Sequence, residues 1–135
     1  MTTEETVRAA IAAYAAKDLQ GALSLCSRDV CFHNQSVKGT GMWEFDCREI
    51  DELQTALIQI NSEFEIEAYE LLDLIATGKK AASRQRLRIR IPQTGEVIET
   101  VIADFWEVED GKITSIHEFN DTAQIISARK SAGCQ

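Results

Sequence analysis

The sequence predicts an α+β fold, with helices packed on one face of a curved antiparallel sheet, and three observations carry that expectation. Apolar residues recur at helical spacing up to Ile60. From Phe64 onward the chain reads instead as four long strand-type segments. Short turn sequences separate these strands: Thr77-Gly78-Lys79, Pro92-Gln93-Thr94-Gly95 and Asp110-Gly111. Helices first and a meander afterwards is the order of an α+β domain.

Thr2 followed by Glu5 forms a capping box, and Val7, Ala10, Ile11 and Tyr14 then mark one helical face, predicting a helix to about Lys17. Asp18 is placed to cap a second, short helix carrying Leu19, Ala22, Leu23 and Cys26. "VCFH" at 30–33 reads as a short strand, and "NQSVKGTG" as a loop broken by Gly39 and Gly41. Asp46 with Glu49 offers a further capping box ahead of a third helix through Ile50, Leu53, Leu57 and Ile60. The strands follow as "FEIEAYELLDLIA", "KAASRQRLRIRI", "EVIETVIADFWEVE" and "KITSIHEF". No linker, repeat or low-complexity stretch interrupts this order, so residues 1–135 read as one domain.

Alternation assigns faces. Ile98, Thr100, Ile102, Asp104, Trp106 and Val108 share one side of their strand; Val97, Glu99, Val101, Ala103, Phe105 and Glu107 share the other. Both sides are largely apolar, which predicts a central strand covered twice, once by helices and once by a partner subunit. On the preceding strand Arg84, Arg86, Arg88 and Arg90 share a face, a solvated or interface surface with Glu99 and Glu107 as cross-strand partners.

The formal charge of −8 disfavours nucleic acids and anionic membranes. No apolar run reaches the roughly 18 residues of a membrane span, and the acidic N-terminus lacks signal-peptide character. The expected location is therefore cytoplasmic. The four cysteines form no zinc spacing; Cys26 and Cys31 read as buried thiols, Cys134 as an exposed one. No metal and no cofactor is expected.

Three stretches, "AYAAKDLQGALSLCSRDVCF", "DFWEVEDGKI" and the closing "HEFND", resemble the nuclear transport factor two-like superfamily in order and spacing across nearly the whole chain. That resemblance implies a cone, with the three helices of the N-terminal half on the concave face of the sheet. The ending is most similar to SnoaL-like polyketide cyclases, with ketosteroid isomerases as relatives. Fold does not fix function in this superfamily. The cyclases keep a base eight positions after the Ile of D-G-K-I, which lands on Asp121. If the last strand continues regularly, His117 and Phe119 share the parity of Asp121, and Glu118 faces away. The isomerase resemblance puts Tyr14 and Asp104 at an oxyanion hole and Asn34 where the base would stand, and an amide cannot take a proton.

Each candidate carries a plainer alternative. Tyr14 is a core tyrosine or a hydrogen-bond donor to substrate. Asp104 is a protonated donor or one half of a buried ion pair. His33 and His117 are packed side chains or proton carriers. The leading expectation is a pocket for a small hydrophobic molecule, in a homodimer built through the sheet. Catalysis there would remove a proton next to a carbonyl: Asp121 as base tuned by His117, Tyr14 and Asp104 on the enolate oxygen, and Trp106, Phe119, His33 and Asn34 around the substrate. The competing expectation is a non-catalytic binding or association module.

Overall fold

The computed structural model describes residues 1–134. Thr2 caps α1 (Thr3–Ala15), with both halves of the capping box formed, and Asp18 caps α2 (Leu19–Leu23) through the Gly21 amide. Then come β1 (Cys26–Asn34), the two-residue β2 (Asp46–Cys47) and α3 (Ile50–Glu63). The meander is β3 (Glu65–Thr77), β4 (Lys80–Arg90), β5 (Val97–Glu109) and β6 (Lys112–Phe119), and α4 (Thr122–Ser131) closes the described chain. Glu49 caps α3, while Asp46 belongs to β2, where its side chain meets Arg48. Asp110 and Gly111 both take positive φ, as a two-residue hairpin of the primed type requires.

The six strands form one curved, unclosed sheet in the order β2-β1-β6-β5-β4-β3, antiparallel except for the β1–β6 pair. Its concave side holds the core. Val7 and Ile11 of α1 and Leu53 of α3 pack there against Val30, Phe32, Val108 and Ile113. A second cluster gathers Trp43, Phe64, Leu87, Ile89, Ile102, Ile125 and Ala128.

The arginine face of β4 is a solvated ladder. Arg84 pairs with Asp73, Arg86 with Glu70, Arg88 with Glu67 and Glu99, and Arg90 with Glu65 and Glu67. Most partners therefore come from β3; Glu107 pairs with Lys80. Such exposed pairs add little stability each. Three cysteine expectations change: Cys31 is exposed and Cys26 and Cys134 are partly buried, while Cys47 is the buried thiol.

The fourth helix is the element that sequence reading left as a tail. Its cap is Asp121, whose carboxylate accepts from the Gln124 amide at 3.1 Å. Arg129 anchors it from below. Its guanidinium makes a two-pronged ion pair with Glu63 (2.9 and 3.1 Å), donates to the Gly41 carbonyl at 2.5 Å and lies over the Trp43 ring. Burial pushes the Glu63 carboxyl up, but hydrogen bonds from Arg129, Gln59 and Trp43 outweigh it and hold the group below its ordinary range.

Candidate carboxyl-pair pocket

One extra residue in β6 decides which side chains face the cone. Val108 of β5 opposes Ile113, but Glu107 already opposes Ser115, so Thr114 is left over as a bulge. Before the bulge Ile113 points inward and is fully buried. Beyond it the inward parity passes to Ile116 and Glu118, which oppose Trp106 and Asp104. His117 and Phe119 turn outward with Phe105 and Ala103. A regular strand would have done the reverse.

The inward face, α1, α2, α3 and the first turn of α4 enclose a cavity of about 120 Å³. Apolar and aromatic side chains form most of its wall, among them Ile11, Leu53, Phe64, Trp43 and Trp106. The Trp106 indole is fixed by donating to Ser83 at 2.8 Å. Polar groups are few: Tyr14, Tyr69, Thr100, Asp104, Glu118 and Asn120. No lysine, arginine or histidine lines it among the described residues.

Asp104 and Glu118 stand directly opposite one another across β5 and β6 and interact through their carboxyls. Asp104 is 2% exposed, accepts from Gln85 Nε2 at 2.6 Å through Oδ2 and hydrogen-bonds with the Glu118 carboxyl. Burial raises the Asp104 carboxyl to about 6 although the Gln85 hydrogen bond opposes the rise. Burial, together with the nearby Asp104 charge, pushes Glu118 well above its ordinary range. Two carboxylates so close in low dielectric cannot both ionise cheaply, so the pair retains a proton as neutrality is approached. Because Gln85 stabilises the Asp104 anion, that proton resides on Glu118.

Two phenols complete the polar end. Tyr14 on α1 and Tyr69 on β3 meet edge to face, 5.0 Å between centroids. Gln85 Nε2 also donates to Tyr69 Oη at 3.0 Å, leaving that hydroxyl's own proton free to donate. Burial and the two carboxyls raise both phenols far above ordinary tyrosine, so both stay protonated donors at neutral pH.

Of the residues expected from sequence, Tyr14, Asp104 and Trp106 line this cavity. Asp121 does not: the strand has ended, and its carboxylate is spent on the α4 cap. His117 and Phe119 lie on the outer face because of the bulge, and His33 stands beside His117 there, 4.8 Å between ring centroids. Asn34 is buried but outside the cavity wall; its amide donates to Trp43 O at 2.5 Å and accepts from Phe45 N at 2.7 Å, which pins the 35–45 loop. Asp104 is not half of an arginine ion pair, since the β4 arginines point away and its neighbour is another acid. Sequence reading turned Glu118 away from the cone and missed Tyr69 and Gln85. The alternation Tyr69-Leu71 opposite Leu87-Gln85 held the signal for two of them; nothing in the sequence announced the bulge.

With the geometry in hand, a family model described as SnoaL-like domain matches residues 7–116. No curated protein matches the chain significantly. Among solved structures, a nuclear transport factor two-like protein of unknown function from Burkholderia pseudomallei superposes with a TM-score of 0.84 at 19% identity, covering 95% of this chain and 98% of that one. A second such protein, from Burkholderia thailandensis, gives 0.82 at 20% identity over 95% and 97%. A candidate polyketide cyclase from Streptomyces antibioticus gives 0.78 at 18% identity over 96% and 99%. These likenesses carry the cone fold.

Proposed function

Starting from the fact that the chain belongs to the SnoaL-like domain family, we propose that its cavity binds a small hydrophobic molecule and that the carboxyl pair moves a proton next to a carbonyl. The single observation behind this reading is the pair itself: Asp104 and Glu118 face each other at the polar end of an otherwise apolar cavity. An ionised carboxylate of the pair takes the α-proton, and the electron pair left on carbon moves to the carbonyl oxygen. Tyr14 and Tyr69 donate hydrogen bonds to that oxygen, where negative charge develops. The proton then returns to the carbon skeleton at a new position or the same one. A raised carboxyl suits a base working near neutral pH, and such a base is worth about 10²–10⁴ in rate. These steps use side chains alone.

Hydrogen–deuterium exchange at the α-carbons of cyclohexanone and cyclopentanone in heavy water, followed by proton NMR, tests the reading. The wild-type protein should accelerate exchange and the Asp104→Asn/Glu118→Gln double variant should not. Equal rates with the two proteins would remove the pair as the base.

The outer face favours a second copy of the chain as the protein partner. Ile75 and Phe105 are 72% and 56% exposed there, with Val101 and Phe119 also open and the His33–His117 pair on the far side of Phe105, where His117 stacks on Phe119. A contiguous apolar patch on an otherwise charged surface is the usual mark of an interface.

A further inference from the structure

The cavity carries a charge imbalance that its own side chains do not correct. Its polar end is two acids; its wall contains no basic residue among those described; and apart from Gln85 and the carboxyl proton that the two acids share, no donor reaches Asp104. A buried carboxylate needs a cation or hydrogen bonds against it, and here every β4 arginine is committed on the opposite face. The wall also carries the aromatic rings of Tyr14, Tyr69 and Trp106, whose faces are electron-rich. The volume, about 120 Å³, is close to the roughly 150 Å³ of an engineered cavity that accepts benzene. Size thus limits the occupant to about one ring, and charge repels a carboxylate or phosphate.

We propose that the ligand of this cavity is a small organic ammonium compound, a single apolar ring or its equivalent bearing a protonated amine that seats on Asp104 and Glu118. The ammonium takes the place of the shared carboxyl proton as donor to Asp104 and offers up to three hydrogen bonds in all. On seating, it displaces the proton that the empty pair retains, and that proton leaves to solvent. One carboxylate then serves as counter-ion while the other is free as the base. The inference rests on the reading above that this cavity is the ligand site, but not on turnover.

The groups facing the pair are Tyr14 from α1, Tyr69 from β3, Gln85 from β4 and Asn120 from the β6–α4 junction; α3 contributes only apolar side chains to the wall. Both phenols remain neutral at neutral pH. The pair is therefore the part of the site that titrates there, and affinity for an amine rises as pH climbs through its range, until the amine itself deprotonates.

Isothermal titration of the full chain with benzylamine, benzyl alcohol, toluene and benzoate tests this. These four are close in size and differ in charge. Benzylamine should bind at least about tenfold tighter than benzyl alcohol, as a charge-assisted pair in low dielectric requires, and benzoate should not bind. Repeating the benzylamine titration in phosphate and in Tris should give different heats, the sign of a released proton. Glu118→Gln should abolish the buffer-dependent heat, because Asp104 remains as counter-ion with no shared proton to displace, and the Asp104→Asn/Glu118→Gln double variant should erase the preference for the amine and keep benzyl alcohol binding, with near-ultraviolet circular dichroism confirming the fold. Benzyl alcohol or toluene binding as tightly as benzylamine overturns the ammonium assignment and leaves the cavity as a ligand site. Absence of binding by all four overturns both.

Discussion

Asp104 on β5 and Glu118 on β6 are direct cross-strand partners, two acids aimed into one cavity with a glutamine and two phenols as their polar company. That pairing exists because Thr114 is accommodated as a bulge three residues after the Asp110-Gly111 turn. Its consequences for stability and chemistry are measurable.

Stability should fall as pH rises from the ordinary carboxyl range to above 6. The folded pair holds protons that the unfolded chain has already released, because Asp104 is raised from 3.8 to about 6 and Glu118 is raised from 4.5. The folded state therefore binds more protons in this window, and its advantage is complete below the unfolded values and lost above the folded ones. For Asp104 alone the loss is on the order of 3 kcal/mol. Thermal melts between pH 4 and 8 should show the decline, flattened in Asp104→Asn, with the variant more stable than wild type at pH 8. An unchanged slope in the variant would count against a shared proton.

Asp121→Ala should cost about 1 kcal/mol, the usual worth of an N-cap, and leave ligand binding intact. A denaturant titration gives the first quantity and the benzylamine or cyclohexanone measurements give the second. Lost binding at unchanged stability would return Asp121 to the site.

Arg129→Met should destabilise the protein by about 3–5 kcal/mol, because it strands the Glu63 carboxylate where both side chains are at most 16% exposed. Adding Glu63→Gln should recover part of that loss, since the stranded charge disappears. Chemical denaturation of the two single variants and the double variant completes the cycle; strict additivity would show that the two residues act independently.

Phe105→Glu should convert a dimer to a monomer in sedimentation velocity without lowering the melting temperature of the monomer. The ring is 56% exposed, packs edge to face on Phe119 and supports no core contact. A wild-type protein that sediments as a monomer at micromolar concentration would remove this face as the self-association surface.

The amino-acid pattern by itself determined the α+β class, the three helices of the N-terminal half, the four long strands and their turns. Each of these rests on local chemistry: caps, apolar periodicity and glycine turns. It also determined that Asp104 and Trp106 share a face with Ile102, since β5 runs without interruption between them. Tertiary structure alone decided the rest of the site. A bulge is a property of two strands in register, so the inward turn of Glu118 and the outward turn of His117 were invisible in one strand's alternation. The capping role of Asp121 required that a helix follow it, and α4 carries only a weakly sided apolar pattern that becomes stable by docking Ile125 and Ala128 and by seating Arg129 on Glu63. The meeting of Tyr14 from α1 with Tyr69 from β3 depended on how the helix lies across the sheet. Local sequence writes the elements; long-range packing chooses which carboxylates they bring together.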